Sequence, residues 1–140
     1  MATFNKYNCF VENLAEKVHN LQSDTLKVAL TNTAPTSADT VWSLAVYPAP
    51  TAANGYTAGG NSLTVASSSQ TSGTYKLVIN DSVFTATAGG IGPFRYVVLY
   101  NSTASNAVIG YYDYGSSITL ADTETFTIDF DATNGVLTIA

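Results

Sequence analysis

Two hydrophobic periods run along this chain, one at its start and another through nearly everything that follows. Phe10, Leu14, Val18 and Leu21 recur at intervals of four, four and three, with Val11 beside them, while Glu12, Asn13, Glu16, Lys17 and Asn20 take the other side. That spacing predicts one amphipathic helix over 8–21, with Asn8 placed to cap it and Glu12 in the first turn, where the helix dipole favours an anion. From Leu26 the period falls to two: Leu26, Val28 and Leu30 alternate with Lys27, Ala29 and Thr31, the mark of a half-buried strand.

The run Phe94-Arg95-Tyr96-Val97-Val98-Leu99-Tyr100 is apolar at nearly every position, which predicts a central strand covered on both faces. A polar link, Asn101–Asn106, joins it to Ala107–Tyr114, and the two are expected to pair as a hairpin. Thr74–Ile79 and Ser82–Thr87, separated by Asn80-Asp81, read as a second hairpin. Val41–Tyr47 is strand-like, but Pro48 and Pro50 push it to an edge or a loop, and a long loop is expected over 49–61. Leu63 and Val65 lead into a serine tract as a short strand, and Ser117–Leu120 is another. Glu124–Phe130 alternates, with Phe126, Ile128 and Phe130 inward, and Asn134-Gly135 turns the chain into a last strand, Val136–Ile139, that pairs back. Eight or nine short strands behind one helix predict a mainly β chain: a single domain over 1–140, the helix at 8–21 and an antiparallel β-sandwich or jelly roll over 25–139.

Composition changes the picture in one place. Only 11% of the 140 residues are charged, the net charge is −5, and no Asp, Glu, Lys or Arg occurs between Asp39 and Lys76. A surface kept wet by Ser, Thr, Asn, Gln and Gly alone suits a protein that lies against another protein. Five scattered cations, Lys6, Lys17, Lys27, Lys76 and Arg95, make no phosphate-binding patch, so nucleic acid is not an expected partner. No run reaches the ~20 apolar residues of a membrane span, and the first ten residues lack the basic-then-apolar order of a secretory signal, so no membrane role is expected and synthesis in a cytoplasm is.

Candidate chemistry is thin. Cys9 and His19 each stand alone, ten residues apart in the chain, so neither a thiol–imidazole dyad nor a zinc site can be assembled from them. Cys9 reads as a small core or surface thiol and His19 as an exposed or boundary helix residue. Asp129-Phe130-Asp131 with Asn134-Gly135 has some of the oxygen spacing of a calcium loop but lacks its terminal bidentate acid. Asp113 with Asp129 or Glu124 has no spacing that sets a glycosidase pair across a cleft. The tyrosines invite saccharide stacking, yet alternation puts Tyr112 and Tyr114 on one face and Tyr111 on the other, which favours packing. No catalytic, cofactor or metal residue is therefore assigned.

Four phrases carry a family likeness: FNKYNCFVENLAEKVHNL, SDTLKVALTNTAPTSADTVW, GIGPFRYVVLYN and YDYGSSITLADTETFTIDFDATNGVLTIA. Together they resemble small structural proteins of tailed bacteriophages, and the resemblance covers nearly the whole chain. It implies a non-enzymatic virion protein similar to the capsid cement or decoration proteins, some of which are jelly rolls. Such a protein would be made in the host cytoplasm, bind and stabilise the major capsid protein shell from outside, and form a dimer or trimer there. The alternative is a tail- or fibre-associated adhesin that binds host glycan. Trp42, Tyr47, Tyr56, Tyr112 and Tyr114 are the candidate partner contacts. The helix either caps its own sandwich, which is the favoured expectation because a free apolar stripe invites aggregation, or docks on a neighbour.

Overall fold

A computed structural model describes residues 2–50 and 52–140; Met1, and Thr51 inside the expected long loop, lie outside the described residues. In chain order the elements are β1 (Phe4–Lys6), α1 (Cys9–Ala15), β2 (Leu26–Thr31), β3 (Asn61–Ser62), β4 (Val65–Thr71), β5 (Thr74–Ile79), β6 (Ser82–Thr85), β7 (Ile91–Asn101), β8 (Ala107–Leu120), β9 (Thr125–Ile128) and β10 (Leu137–Ile139). Every pairing is antiparallel: a five-stranded sheet β1-β8-β7-β2-β3, a three-stranded sheet β10-β5-β4 and a two-stranded sheet β6-β9. The grouping is five, three and two rather than the four and four of a jelly roll, so it is the sandwich part of the expectation that the structure shows.

The five-stranded sheet is covered on both faces, which is why β7 is apolar at consecutive positions. On one face Leu26, Val28, Leu30, Val97, Leu99 and Ile109 meet Leu77 and Ile79 of the three-stranded sheet and Phe84 and Ile128 of the two-stranded one. On the other, Ala29, Val98, Tyr100 and Val108 are roofed by Tyr7, Trp42 and Tyr47. A bulge sets where β8 changes inward set: Leu99 pairs with Gly110 and Tyr100 with Val108, so Ile109 is the extra residue and faces inward beside Gly110. Gly110 has no side chain because the Phe4 ring fills that space.

The helix is half the expected length. It closes after Ala15 with the Val18 N–H on the carbonyl of Asn13 (2.8 Å) and the Lys17 N–H on that of Leu14 (3.4 Å), around a left-handed Lys17 (φ 63°). The apolar period runs on past the helix because a turn carries Leu21 into the same core that takes Phe10, while Val18 is left at the surface. With Phe10 and Leu21 in the core and Leu14 packed against it, the segment caps its own sandwich. Asn8 occupies the N-cap position without a side-chain capping bond.

Three further expectations are corrected. Thr74–Ile79 and Ser82–Thr87 are not a hairpin: β5 pairs with β4 through the tight Ser72-Gly73 turn, and β6 crosses to β9. Asn80-Asp81 is therefore a passage between sheets, held by the Asp81 carboxylate accepting the N–H of Phe130 at 2.9 Å. The last strand pairs with β5 rather than with Glu124–Phe130, and Ser117–Leu120 is the far end of β8 rather than a separate strand. Val41–Tyr47, by contrast, stays out of the ladders as Pro48 and Pro50 predict, forming a lone bridge, Val41 to Ala107, and then a turn.

Candidate functional site

Where β8 emerges from the core its side chains divide by alternation, and Tyr112 and Tyr114 stand over the sandwich interior. Phe4 lies opposite Tyr112 with rings 5.4 Å apart, and Phe126 of β9 meets Tyr114 edge-on at 6.0 Å. Between them opens a cleft of about 360 Å³ with Val97, Ile128 and Val136 on its floor and Thr127, Asp129 and Asp131 at its rim. Tyr112 is half-buried, with its hydroxyl pushed up to about 12 by burial, while Tyr114 is 56% exposed. Aromatic walls and acceptor oxygens at the mouth are what recognition of a sugar ring uses.

The acids around this cleft are not equivalent. Asp131 accepts the backbone N–H groups of Thr133 and Asn134 at 2.8 Å each and the Asn134 amide at 2.7 Å. Bonds from Asn134 first, and then Thr133, hold its carboxyl below the usual range. Its oxygens thus close the turn that resembled part of a calcium loop. Asp129 is exposed, and among the described residues its carboxylate accepts no hydrogen bond. Asp113 lies on the opposite face of β8, gripped by Arg95 through two bonds of 2.8 Å and by the Gly115 N–H at 2.7 Å. The Arg95 guanidinium, then Gly115, lowers its pKa, and Asp113 and Asp129 do not share a cleft.

The five expected partner contacts separate sharply. Trp42, Tyr47 and Tyr56 are 8%, 1% and 3% exposed and present no ring to a partner. Trp42 stacks on Tyr100, and the Tyr56 hydroxyl accepts the N–H of Leu30 at 3.0 Å where the β2 ladder runs out of partners. The Tyr47 hydroxyl bonds Tyr7 at 3.0 Å and donates to Asp39 at 2.5 Å. Burial raises the pKa of both phenols; it would raise that of Asp39 too, but the bonds from Tyr47 and Thr36 outweigh it. These aromatics anchor the loop over the sheet and leave its aliphatic residues outside: Val41, Leu44 and Val46 are 40%, 50% and 41% exposed. Alternation along 41–47 could not have signalled this, because the segment is a turn rather than a strand: Trp42 is buried while Leu44 and Val46, of the same parity, stay outside.

His19 is buried, not an exposed helix residue. Asn101 explains how. Its amide oxygen accepts the N–H groups of Thr103 (3.0 Å) and Ala104 (3.1 Å), which fixes its amide nitrogen as the donor to Asp24 (2.6 Å) and to His19 Nδ1 (3.1 Å). Nδ1 must then be unprotonated, so the proton sits on Nε2, which has no partner among the described residues. Burial lowers the His19 pKa and Asp24 opposes the shift. Cys9 is half-buried beneath the Asp39 and Val108 carbonyls, and burial raises its thiol pKa. Among the described residues no group of three potential metal ligands forms, and no helix is long and apolar enough to cross a membrane.

Fold and site together describe an antiparallel β-sandwich with an aromatic cleft at one end and an anchored, charge-free loop over one sheet. No protein-family model, curated protein or solved structure matches the chain.

Proposed function

We propose that this chain is a non-enzymatic structural protein of a tailed-phage virion, a capsid cement or decoration protein bound to the outer surface of the major capsid protein shell. The observation that carries the reading is the loop over the five-stranded sheet. Within six residues it exposes Val41, Leu44 and Val46, and it lies in a stretch free of Asp, Glu, Lys and Arg from Thr40 to Tyr75. Exposed aliphatics flanked in sequence by uncharged residues mark a surface that another protein covers, because the chain's own core does not account for them. Trp42 and Tyr47 support it by holding that loop in one place, so little ordering entropy is lost on contact. The phage resemblance of the four sequence phrases supplies the partner. Reconstruction of purified virions tests it: density for this chain on the outer head is expected, and density confined to the tail or fibres overturns it.

The second reading, a tail- or fibre-associated adhesin for host glycan, is favoured by the cleft of Tyr112, Tyr114, Phe126 and Asp129. A glycan array with the purified chain tests it, with Tyr114→Ala expected to abolish any signal that belongs to the cleft.

A further inference from the structure

Among the described strands that end a sheet, β4 is the longest and carries no charge. Among the described residues the other sheet edges are β1, β3, β6, β9 and β10, of two to four residues each, and β1 carries Lys6. β4 has seven residues, Val-Ala-Ser-Ser-Ser-Gln-Thr, five of them exposed, with no charge and no proline. Charge, proline, shortness and bulges are the usual means by which an edge is kept from pairing, and β4 has only the last, an irregularity at Ala66 near its start that leaves 67–71 regular.

The β4–β5 turn fixes which backbone groups are free. Ser72 (φ 50°) and Gly73 (φ 85°) form a two-residue turn with both residues left-handed, which makes Thr71 and Thr74 a hydrogen-bonded pair. Alternation puts Ser69 with Lys76 and Ser67 with Val78 in the same class. The N–H and C=O groups of Ser68 and Gln70 therefore point away from β5, and among the described residues no hydrogen bond reaches them.

We propose that this edge pairs with the same edge of a second copy, antiparallel across a two-fold axis at Ser68, to join two three-stranded sheets into one. In that register Ser68 exchanges N–H···O=C bonds with its own equivalent and Ser67 faces Ser69. A second copy is the occupant because the edge opposes no like charge to itself, while the chain as a whole carries −5 and repels its copies elsewhere. Lys76, opposite Ser69 on the neighbouring strand, is turned aside, its ammonium donating to the Thr133 carbonyl at 2.8 Å. An isologous pairing of this kind closes at two chains. It stands whether or not the chain is found on a virion.

Light scattering of the full chain over a concentration series tests it. The expected mass tends to twice 14.7 kDa as concentration rises. Ser68→Pro removes an outward N–H while leaving the backbone ladder to β5 intact; it also loses the Ser68 hydroxyl's bond to Tyr75 (2.8 Å), and it is expected to stay at single-chain mass. The pair Ser67→Lys with Ser69→Lys sets like charges opposite each other and is expected to weaken dimerisation at least about tenfold, with recovery in high salt. If Ser68→Pro fails to fold, the lysine pair decides. A wild-type chain that remains single, a trimer, or a dimer untouched by the lysines overturns the proposal.

Discussion

The indole of Trp42 lies flat on the ring of Tyr100, with centroids 4.7 Å and planes 10° apart. The Tyr100 hydroxyl donates to the Gly59 carbonyl at 2.7 Å, so one side chain of β7 holds the connection between β2 and β3 at two points, Trp42 and Gly59. Removing the indole takes a stacked pair and its buried area together, and Trp42→Ala is expected to lower stability by about 3 kcal/mol. Tyr100→Phe keeps the stack, loses one buried hydrogen bond and is expected to cost about 1 kcal/mol. Urea unfolding followed by far-ultraviolet circular dichroism measures both; equal costs would mean that the stack contributes nothing beyond the hydroxyl.

His19 sets a pH dependence of defined sign. Its folded-state pKa lies below the ordinary 6.5, chiefly through burial, so the unfolded chain takes up the proton first. Stability is complete above about pH 6.5 and declines as pH falls below it, because protonated Nδ1 would point a hydrogen at the Asn101 amide donor. Asp39, Asp113 and Asp131 have depressed pKa values, and their contributions are lost only below the ordinary carboxyl value of 3.8, in a separate window. His19→Gln, which keeps an acceptor for Asn101, is expected to flatten the thermal midpoint between about pH 7 and about pH 5. A wild-type midpoint already flat over that range refutes the assignment.

Gly110 and Phe4 occupy one volume. A methyl group at 110 would overlap the Phe4 ring, so Gly110→Val is expected to cost about 2 kcal/mol by overpacking and to displace β1. Phe4→Ala alone is destabilising, but in combination with Gly110→Val it vacates the contested space. The double variant should be more stable than the sum of the single losses implies. Strict additivity in chemical denaturation would show that the two side chains do not compete.

Leu44 separates folding from docking. At 50% exposure it adds little to the core, and Leu44→Asp is expected to change stability by less than about 0.5 kcal/mol. On the capsid reading the same change buries a carboxylate in an interface and should abolish add-back of purified protein to virions that lack it. Undiminished add-back would move the contact away from this loop.

Much of the architecture was legible in local pattern, and particular residues show where that ended. Phe94–Tyr100, apolar on both sides, announced a doubly covered strand, and period-two alternation located β2 and β9. It described β9 correctly but not β2, which was expected half-buried and is covered on both faces, Ala29 and Thr31 included, because the aromatic roof lies over its outer side. Pairing is not a property of a single strand: β5 and β6 sit two residues apart in sequence yet join different sheets, and β10 passes over β9 for β5. Nothing in a strand's own alternation names its partner, since any half-buried neighbour satisfies it.

The same limit governs the surface. Amino-acid order alone determined a mainly antiparallel β chain, an apolar N-terminal segment and a stretch without charge. Tertiary packing alone decided that Trp42, Tyr47 and Tyr56 turn inward and that Val41, Leu44 and Val46 turn outward. It also decided that His19 is buried against Asn101, 82 residues away in sequence. An aromatic ring gains more by burial than a valine does, but only when a second surface, here the outer face of β2, β7 and β8, is close enough to receive it.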